Sequence, residues 1–430
     1  MHTQVTERLS STTQFHILSF EGPDHYARAG GIASRITGLS QALANQGRET
    51  HLWFVGDPAL PGHERHDSLA LHRWCQWISQ HHPGGVYDGE DTKCRDYAAS
   101  LPPYLLENEL RARLEAGEHA VILAEEWHTA PAVLHLDALL RKAGLRERVT
   151  LLWNANNTFG FEKLDWSRLR AAATIVTVSR YMKHRMRAYG VDPVVIPNGL
   201  GPESFVRPAI HAVAALRRRL ADRLLLAKVA RWDPDKRWLL AVDIVTELKR
   251  QGDRPLLVAR GGVEAHGGDV LARGRVAGLR IAKRSLPHAG GRGLLDALVG
   301  LDEVDVVVLD SHLDQEARSV LFRVEDAVLA NSDHEPFGLV GLEAMAVGGL
   351  ACTGASGEDY AIDGQNALVL QQDSPHEFVS LFGRVRRRPE YERRLRRSGV
   401  GMTAMRSLCS RGGTRWARCA SSAIPCLSCC

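Results

Sequence analysis

The sequence has no apolar run approaching the ~18 residues that cross a bilayer, and its opening stretch MHTQVTERLSSTTQ contains no apolar signal core. A transmembrane segment is therefore not expected, and a cytoplasmic protein is the default. Charge imbalance is also scarce. Its 54 Lys and Arg against 50 Asp and Glu leave a formal net charge of only +4. That is too little to argue for nucleic acid, and no basic stripe interleaved with aromatics appears. Cysteines at metal-ligand spacing are missing as well. Cys75, Cys94 and Cys352 are scattered, while Cys409, Cys419, Cys426, Cys429 and Cys430 crowd the end, where Cys426-Leu-Ser-Cys429 has no second pair. No metal is expected. Repeats of solenoid period are absent too.

What is present is size and alternation. At 430 residues the chain exceeds one typical core and suggests two domains of roughly 200 residues each. Apolar runs alternate with helical patterns, the signature of parallel βαβ units. Strands are predicted at 15–20, 51–55, 121–124, 150–153, 174–178 and 194–196, and a helix follows the first loop with Ile32, Ile36, Leu39 and Leu43 at helical spacing. The irregular stretch from about 57 to 118 is expected to carry ligand-binding loops. A second set of strands is predicted at 223–230, 255–259, 279–282, 305–309, 327–330, 350–353 and 367–370. The linker is placed near residue 205, giving domains 1–205 and 206–398. The Arg-rich segment 384–397 reads as a solvated helix. Beyond Gly399 periodicity dissolves, so 399–430 is expected to be an atypical, disordered tail. The fold class is α/β, two doubly wound Rossmann-like domains, with ligands beyond the carboxyl ends of the strands.

The densest chemistry lies in HEPFGLVGLEAMAVGG, residues 334–349. Around Glu343 every neighbour is apolar, which predicts a buried helix, and a buried carboxylate is costly unless hydrogen-bonded or used by a ligand. Glu335 precedes a Pro-Phe-Gly turn, where Pro336 suits a helix start. N–H groups at such a start favour an anion. Upstream, Arg231 and Lys236 flank the turn Asp233-Pro234-Asp235 after a predicted strand, a fork and a point charge able to grip a diphosphate. Near the N-terminus, Gly30-Gly31 would let backbone N–H groups approach a phosphate or sugar. The surrounding residues do not form GxGxxG, so no nicotinamide cofactor is indicated.

The run from Glu335-Pro336-Phe337-Gly338-Leu339 through Glu343 resembles the donor-site signature of retaining glycosyltransferases of the GT-B fold, of the family 4 type that includes glycogen-synthase-like enzymes. The resemblance implies a nucleoside-diphosphate sugar as donor and a carbohydrate, lipid or small-molecule acceptor, with no metal or other cofactor. It implies that Glu343 holds the nucleotide ribose and Glu335 a hydroxyl of the donor sugar. Arg231 and Lys236 match the family's diphosphate-binding pair. Gly30 and Gly31 match its glycine pair, and Phe337, Gly338 and Leu339 line the donor side. Thr353-Gly354-Ala355-Ser356-Gly357-Glu358 resembles a turn lining the sugar pocket, and Pro197-Asn198-Gly199 the turn ending the first domain.

One departure stands out. Relatives place a His-x-His-(Asp/Glu) run after the strand 121–124, whereas this chain has Leu123-Ala124-Glu125-Glu126, so Glu125 takes the histidine's position. Glu125 is expected either to take a hydrogen-bonding part in catalysis or to mark a different acceptor geometry. His128 is expected to be packed, and the amide-rich Asn154–Asn157 stretch either reads acceptor hydroxyls or forms a polar loop.

The expected activity is a retaining sugar transferase. A glycosidase needs carboxylates about 5–9.5 Å apart across the sugar, while Glu335 and Glu343 on one helix would be ~12 Å apart along its axis and rotated by ~80°. A sugar-nucleotide epimerase of the same shape and an inactive nucleotide-sugar-binding protein are the remaining alternatives.

Overall fold

The computed structural model describes residues 13–411. Two parallel sheets are present, and both are doubly wound. The first has eight strands in the order β3-β4-β2-β1-β5-β6-β7-β8. They are β1 Gln14–Leu18, β2 Thr50–Val55, β3 His63–His66, β4 Leu69–Trp74, β5 Ala120–Glu125, β6 Val149–Ala155, β7 Thr174–Thr177 and β8 Val194–Val195. All pair in parallel except the hairpin β3–β4. The second has seven, in the order β11-β12-β10-β9-β13-β14-β15. These are β9 Leu224–Val229, β10 Pro255–Arg260, β11 Ile281–Arg284, β12 Val306–Leu309, β13 Ala327–Ala330, β14 Ala351–Thr353 and β15 Leu368–Val369. Central strands such as β1, β2 and β5 are buried at every position. Helices cover both faces of such a sheet, so β5 reads as an apolar run, while β1 and β2 bury polar residues such as Gln14, His16 and His51 as well.

The chain divides into two compact units, one closing at Gly199 and the other running Leu200–Ser407, with residues 408–411 grouped with the first. The division falls at the Pro197-Asn198-Gly199 turn rather than near residue 205. A second correction concerns the end of the chain. The helix Pro389–Arg411 continues past Gly399, because it is not merely solvated. It buries Leu395 completely, and Arg396 donates to the carbonyls of Gly348 at 3.2 Å and Glu325 at 3.0 Å. The part of the expected tail from 412 to 430 lies outside the described residues.

The irregular stretch 57–118 is also more ordered than its sequence suggests. It supplies the β3–β4 edge and the helix Glu90–Tyr104, which carries Pro102 and Pro103 in its last turn. Proline has no N–H, so the Ala98 carbonyl loses its helical partner. His135, on the helix Glu126–Lys142, donates its Nδ1–H to that carbonyl at 2.8 Å instead. The chain then continues through a π-helical turn, Leu105–Leu110.

Buried imidazoles line the same edge of the first sheet. His16 pairs in register with His51, and Trp53 with His72. The His16 and His51 rings stack at 4.6 Å, and Trp53 and His72 at 3.7 Å. Trp53 Nε1 donates to His16 Nδ1 at 3.2 Å, while His72 shares hydrogen bonds with His51 at 3.0 Å and His63 at 2.7 Å. Burial depresses the pKa values of His16, His51 and His72, the last to about 3. In the unfolded chain these rings take protons below about pH 6.5, while the folded chain resists them. The contribution to stability is therefore complete above that pH and lost as pH falls. Melts at pH 7 and pH 5 should show the first unit's transition moving down at the lower pH. In a His72→Phe variant that shift should be smaller; an unchanged shift would assign it elsewhere.

Candidate functional site

In the second unit, the segment after β9 and the segment after β13 are joined side by side. Asp233 caps its own turn by accepting the Asp235 N–H at 3.0 Å, which leaves Arg237 at φ +50. The Asp333 N–H donates to the Asp235 carbonyl at 2.7 Å, and the Arg237 guanidinium to Asp333 at 2.7 Å. These links bring Lys236 Nζ to 2.5 Å from Glu335 Oε2, with both side chains only 19% exposed. Ser332 Oγ donates to the same carboxylate at 3.0 Å, and the Glu335 N–H donates to Ser356 Oγ at 2.9 Å. Lys228, wholly buried behind, donates to Asn331 Oδ1 at 2.7 Å and to the Leu329 carbonyl at 3.1 Å. Burial lowers its pKa to about 7, with the Lys236 charge adding to the effect.

Two glycines of the 353–358 turn let backbone meet backbone here. A Cβ on Gly357 would lie 2.0 Å from the Glu335 carbonyl oxygen, and one on Gly354 2.0 Å from that of Ser332. Phe337 is buried against Tyr360, whose hydroxyl donates to the Gly338 carbonyl. Gly338, at φ +75, opens the helix Leu339–Ala346 with no side-chain cap. The helix thus starts at Leu339 rather than at Pro336, because the left-handed turn at Gly338 interrupts the path. Glu335 accordingly sits on a loop.

Glu343 lies on that helix with its side chain 17% exposed, 3.5 Å from Arg318 Nη1. Burial raises its pKa, which Arg318 opposes and Glu203 reinforces. Arg231, by contrast, is 65% exposed and meets only Asp233, at 3.9 Å, among the ion pairs of the described residues. The structure thus brings Lys236, Glu335 and Gly338 together. Arg231 projects outward from the same turn, and Glu343 pairs with Arg318.

In the first unit, Gly30 caps the helix Gly31–Ala44. The N–H groups of Gly30 and Ala33 both donate to Glu21 Oε2, at 3.0 and 3.1 Å, and the Tyr87 hydroxyl donates to Oε1 at 2.6 Å. A carboxylate of the chain itself therefore occupies the helix start at which a phosphate or sugar was expected. Glu125, at the end of β5, is completely buried. It accepts from Arg35 Nε at 3.1 Å, Asn154 Nδ2 at 2.8 Å and Asn156 Nδ2 at 2.7 Å. Arg35 Nη1 reaches on to Asn198 Oδ1. Among the described residues no group of three or more His, Cys, Asp or Glu is arranged to hold a metal ion.

Residues 29–204 match the family model Glycosyltransferase Family 4. Over the whole chain the architecture is that of solved sugar-transferring enzymes. Sucrose-phosphate synthase from Thermosynechococcus elongatus superposes with a TM-score of 0.66 at 18% identity, covering 96% of this chain and 100% of that one. A trehalose-6-phosphate synthase gives 0.65 at 14% identity, covering 96% and 100%. Residues 29–204 are thus similar to a family 4 domain, and the fold is GT-B. D-inositol 3-phosphate glycosyltransferases of Geodermatophilus obscurus and Frankia alni are 29% and 27% identical, over 47% and 40% of this chain and 42% and 50% of their own length. The chain therefore spans about half the length, or less, of these curated relatives.

In the first unit, Glu125, of which a catalytic part was expected, holds Arg35 and two amides on its carboxylate. His128 is packed, as expected: Nε2 meets Glu90 Oε1 at 2.7 Å and the ring stacks on Phe20 at 4.4 Å. The residue that sequence reasoning passed over is Glu126. It is buried at φ +67, a region costing a non-glycine residue about 1–3 kcal/mol. Its backbone carbonyl accepts from Trp153 Nε1 at 3.0 Å and Thr129 Oγ1 at 2.9 Å, which holds the strained turn. Its carboxyl takes the Asn156 N–H at 2.6 Å. Burial pushes it up to about 8; the Asn156 N–H opposes this and the Glu125 charge adds to it. The signal available was the Asp/Glu position of the family's histidine run, which Glu126 occupies.

Proposed function

We propose that this protein is a retaining glycosyltransferase that moves a sugar from a nucleoside-diphosphate sugar to an acceptor hydroxyl. The observation carrying this is the joined pair of segments that presents Lys236 against Glu335 beside an uncapped helix start. A lone cation there would be a surface charge. A cation held by a carboxylate at a helix N-terminus forms a polar cradle that suits a sugar diphosphate.

In this reading Glu343 holds the ribose diol and Glu335 a hydroxyl of the donor sugar. Lys236, Arg231 and the first N–H groups of the helix Leu339–Ala346 stabilise charge as it builds on the leaving diphosphate. Phe337 and Leu339 shape the donor wall. The acceptor hydroxyl attacks from the leaving-group side, and a diphosphate oxygen takes its proton, so configuration is retained. The cations supply charge neutralisation, and no metal is invoked. The first unit would bind the acceptor. The free thiols Cys75, Cys94 and Cys352 suit a reducing, cytoplasmic setting, and no helix of the described residues is long and apolar enough to cross a membrane.

Among similar solved structures, one is a complex with UDP and another a complex with glucose-6-phosphate. UDP-sugars and phosphorylated sugars or polyols are therefore the first donors and acceptors to try. A thermal-shift screen against UDP-, GDP- and ADP-sugars should raise the melting temperature of the second unit with one nucleotide class. Nucleoside diphosphate should then be released only when an acceptor is added. Release without acceptor, with the sugar recovered as an isomer, would replace transferase by epimerase.

A further inference from the structure

The donor region holds a carboxyl group that the reading above does not use. Glu358 ends the glycine-rich turn, is 5% exposed, and its Oε1 is buried with no hydrogen-bond partner. That oxygen lies 3.1 Å, and Glu358 Cγ 2.8 Å, from where a Cβ on Gly338 would stand. It therefore sits at the opening of the helix Leu339–Ala346, which no side chain caps. Its other oxygen lies 3.5 Å from Ser356 Oγ, the hydroxyl that receives the Glu335 N–H. Glu335, Ser356 and Glu358 thus form a short relay behind the Lys236–Glu335 pair. Charged or titratable groups acting on Glu358 are Glu335, on the segment ahead of the helix, and Lys236, on the turn after β9. Lys228 is a further titratable group coupled to that pair.

A carboxylate at this spot would itself satisfy the helix start and repel a diphosphate arriving there. A carboxylic acid would not. It leaves the N–H groups to the ligand. We propose that Glu358 is a positioning residue of the donor site that carries its proton when a nucleoside diphosphate is bound, so that binding above neutral pH is coupled to proton uptake. The inference rests on the donor-site reading and deepens it. Burial supports it by raising this carboxyl to about 8, with Glu335 adding to the effect.

The test is isothermal titration of UDP, GDP and ADP into the full chain at pH 7 and pH 9, with wild type and Glu358→Gln. For whichever diphosphate binds, wild-type affinity should fall by up to about tenfold per pH unit above pH 8. The Gln variant, a neutral isostere, should bind like wild type at pH 7 and change by less than about twofold. A Gln variant that keeps the wild-type slope assigns the proton to another group such as Lys228, and overturns the proposal. So does one that folds but no longer binds at pH 7. Should that variant fail to fold, wild type titrated at pH 8.5 in buffers of different ionisation enthalpy reads the uptake directly, and zero uptake overturns it. If none of the three diphosphates binds wild type at pH 7, the donor-site reading falls and takes this inference with it. Binding without pH dependence sinks only the role of Glu358.

Discussion

Lys236→Ala is expected to lower turnover by about a hundredfold, because a charged hydrogen bond is worth about 1.5–3 kcal/mol and this one faces the leaving diphosphate in the proposed mechanism. Two effects would combine. The ammonium no longer meets charge developing on the leaving group, and Glu335, only 19% exposed, loses its ion-pair partner. A double variant, Lys236→Met with Glu335→Gln, separates them. It should recover the melting temperature lost in the single variant yet stay slow. The control must be chosen with care. Lys249 is not a bystander, since its ammonium is 2.7 Å from Asp305 Oδ2. Lys142, exposed near the end of the helix Glu126–Lys142, is a better one. Turnover of Lys236→Ala within twofold of Lys142→Ala would remove Lys236 from the cradle.

Arg35→Ala should be the most destabilising change in the first unit. The Arg35–Glu125 pair is buried, at 6% and 0% side-chain exposure. Removing one partner of such a pair costs about 3–5 kcal/mol, because the other charge stays buried. At about 2–4 °C per kcal/mol for a domain of this size, the melting temperature should fall by about 10 °C. Lysine should not restore it. The guanidinium fork engages Glu125 through Nε and Asn198 through Nη1 at once, which a point charge on a flexible stem does not reproduce. Removing both charges, as Arg35→Met with Glu125→Leu, should come closer to wild type than either single change. Additive losses in the double variant would argue against a coupled pair.

Apart from β3 and β4, the β-strands of both sheets were legible because strands buried on both faces are rich in apolar residues. β5 and β13 lie within a residue or so of their predicted bounds. The β3–β4 edge was not legible. β3 is His-Glu-Arg-His, largely exposed, and carries no apolar pattern to find. Nor was the helix Glu90–Tyr104, since two adjacent prolines argue against a helix from sequence alone. At the site, spacing pointed to Lys236, Glu335 and Gly338, which the fold gathers. The fate of Gly30-Gly31 was hidden, because Glu21 lies a whole loop away and only folding brings its carboxylate to their N–H groups. The setting of Glu125 was hidden for a related reason. Its binding partners, Arg35, Asn154 and Asn156, come from three separate segments, and no local pattern announces them. The end of the chain was misread at Gly399, where weak periodicity hid a helix held by Leu395 and Arg396.

Pro102 shows how a defect in one helix can serve another. Alanine there would score as a gain of about 3 kcal/mol in helix propensity. It would also return an N–H to the Ala98 carbonyl, the acceptor now taken by His135. The imidazole would then share that oxygen with a helical N–H, and its bond across the seam, which His128 and Glu90 also tie at 2.7 Å, would weaken. A residue that spoils its own helix here leaves an acceptor wholly to its neighbour, so the sequence most favourable to each helix separately is not the one that best joins them.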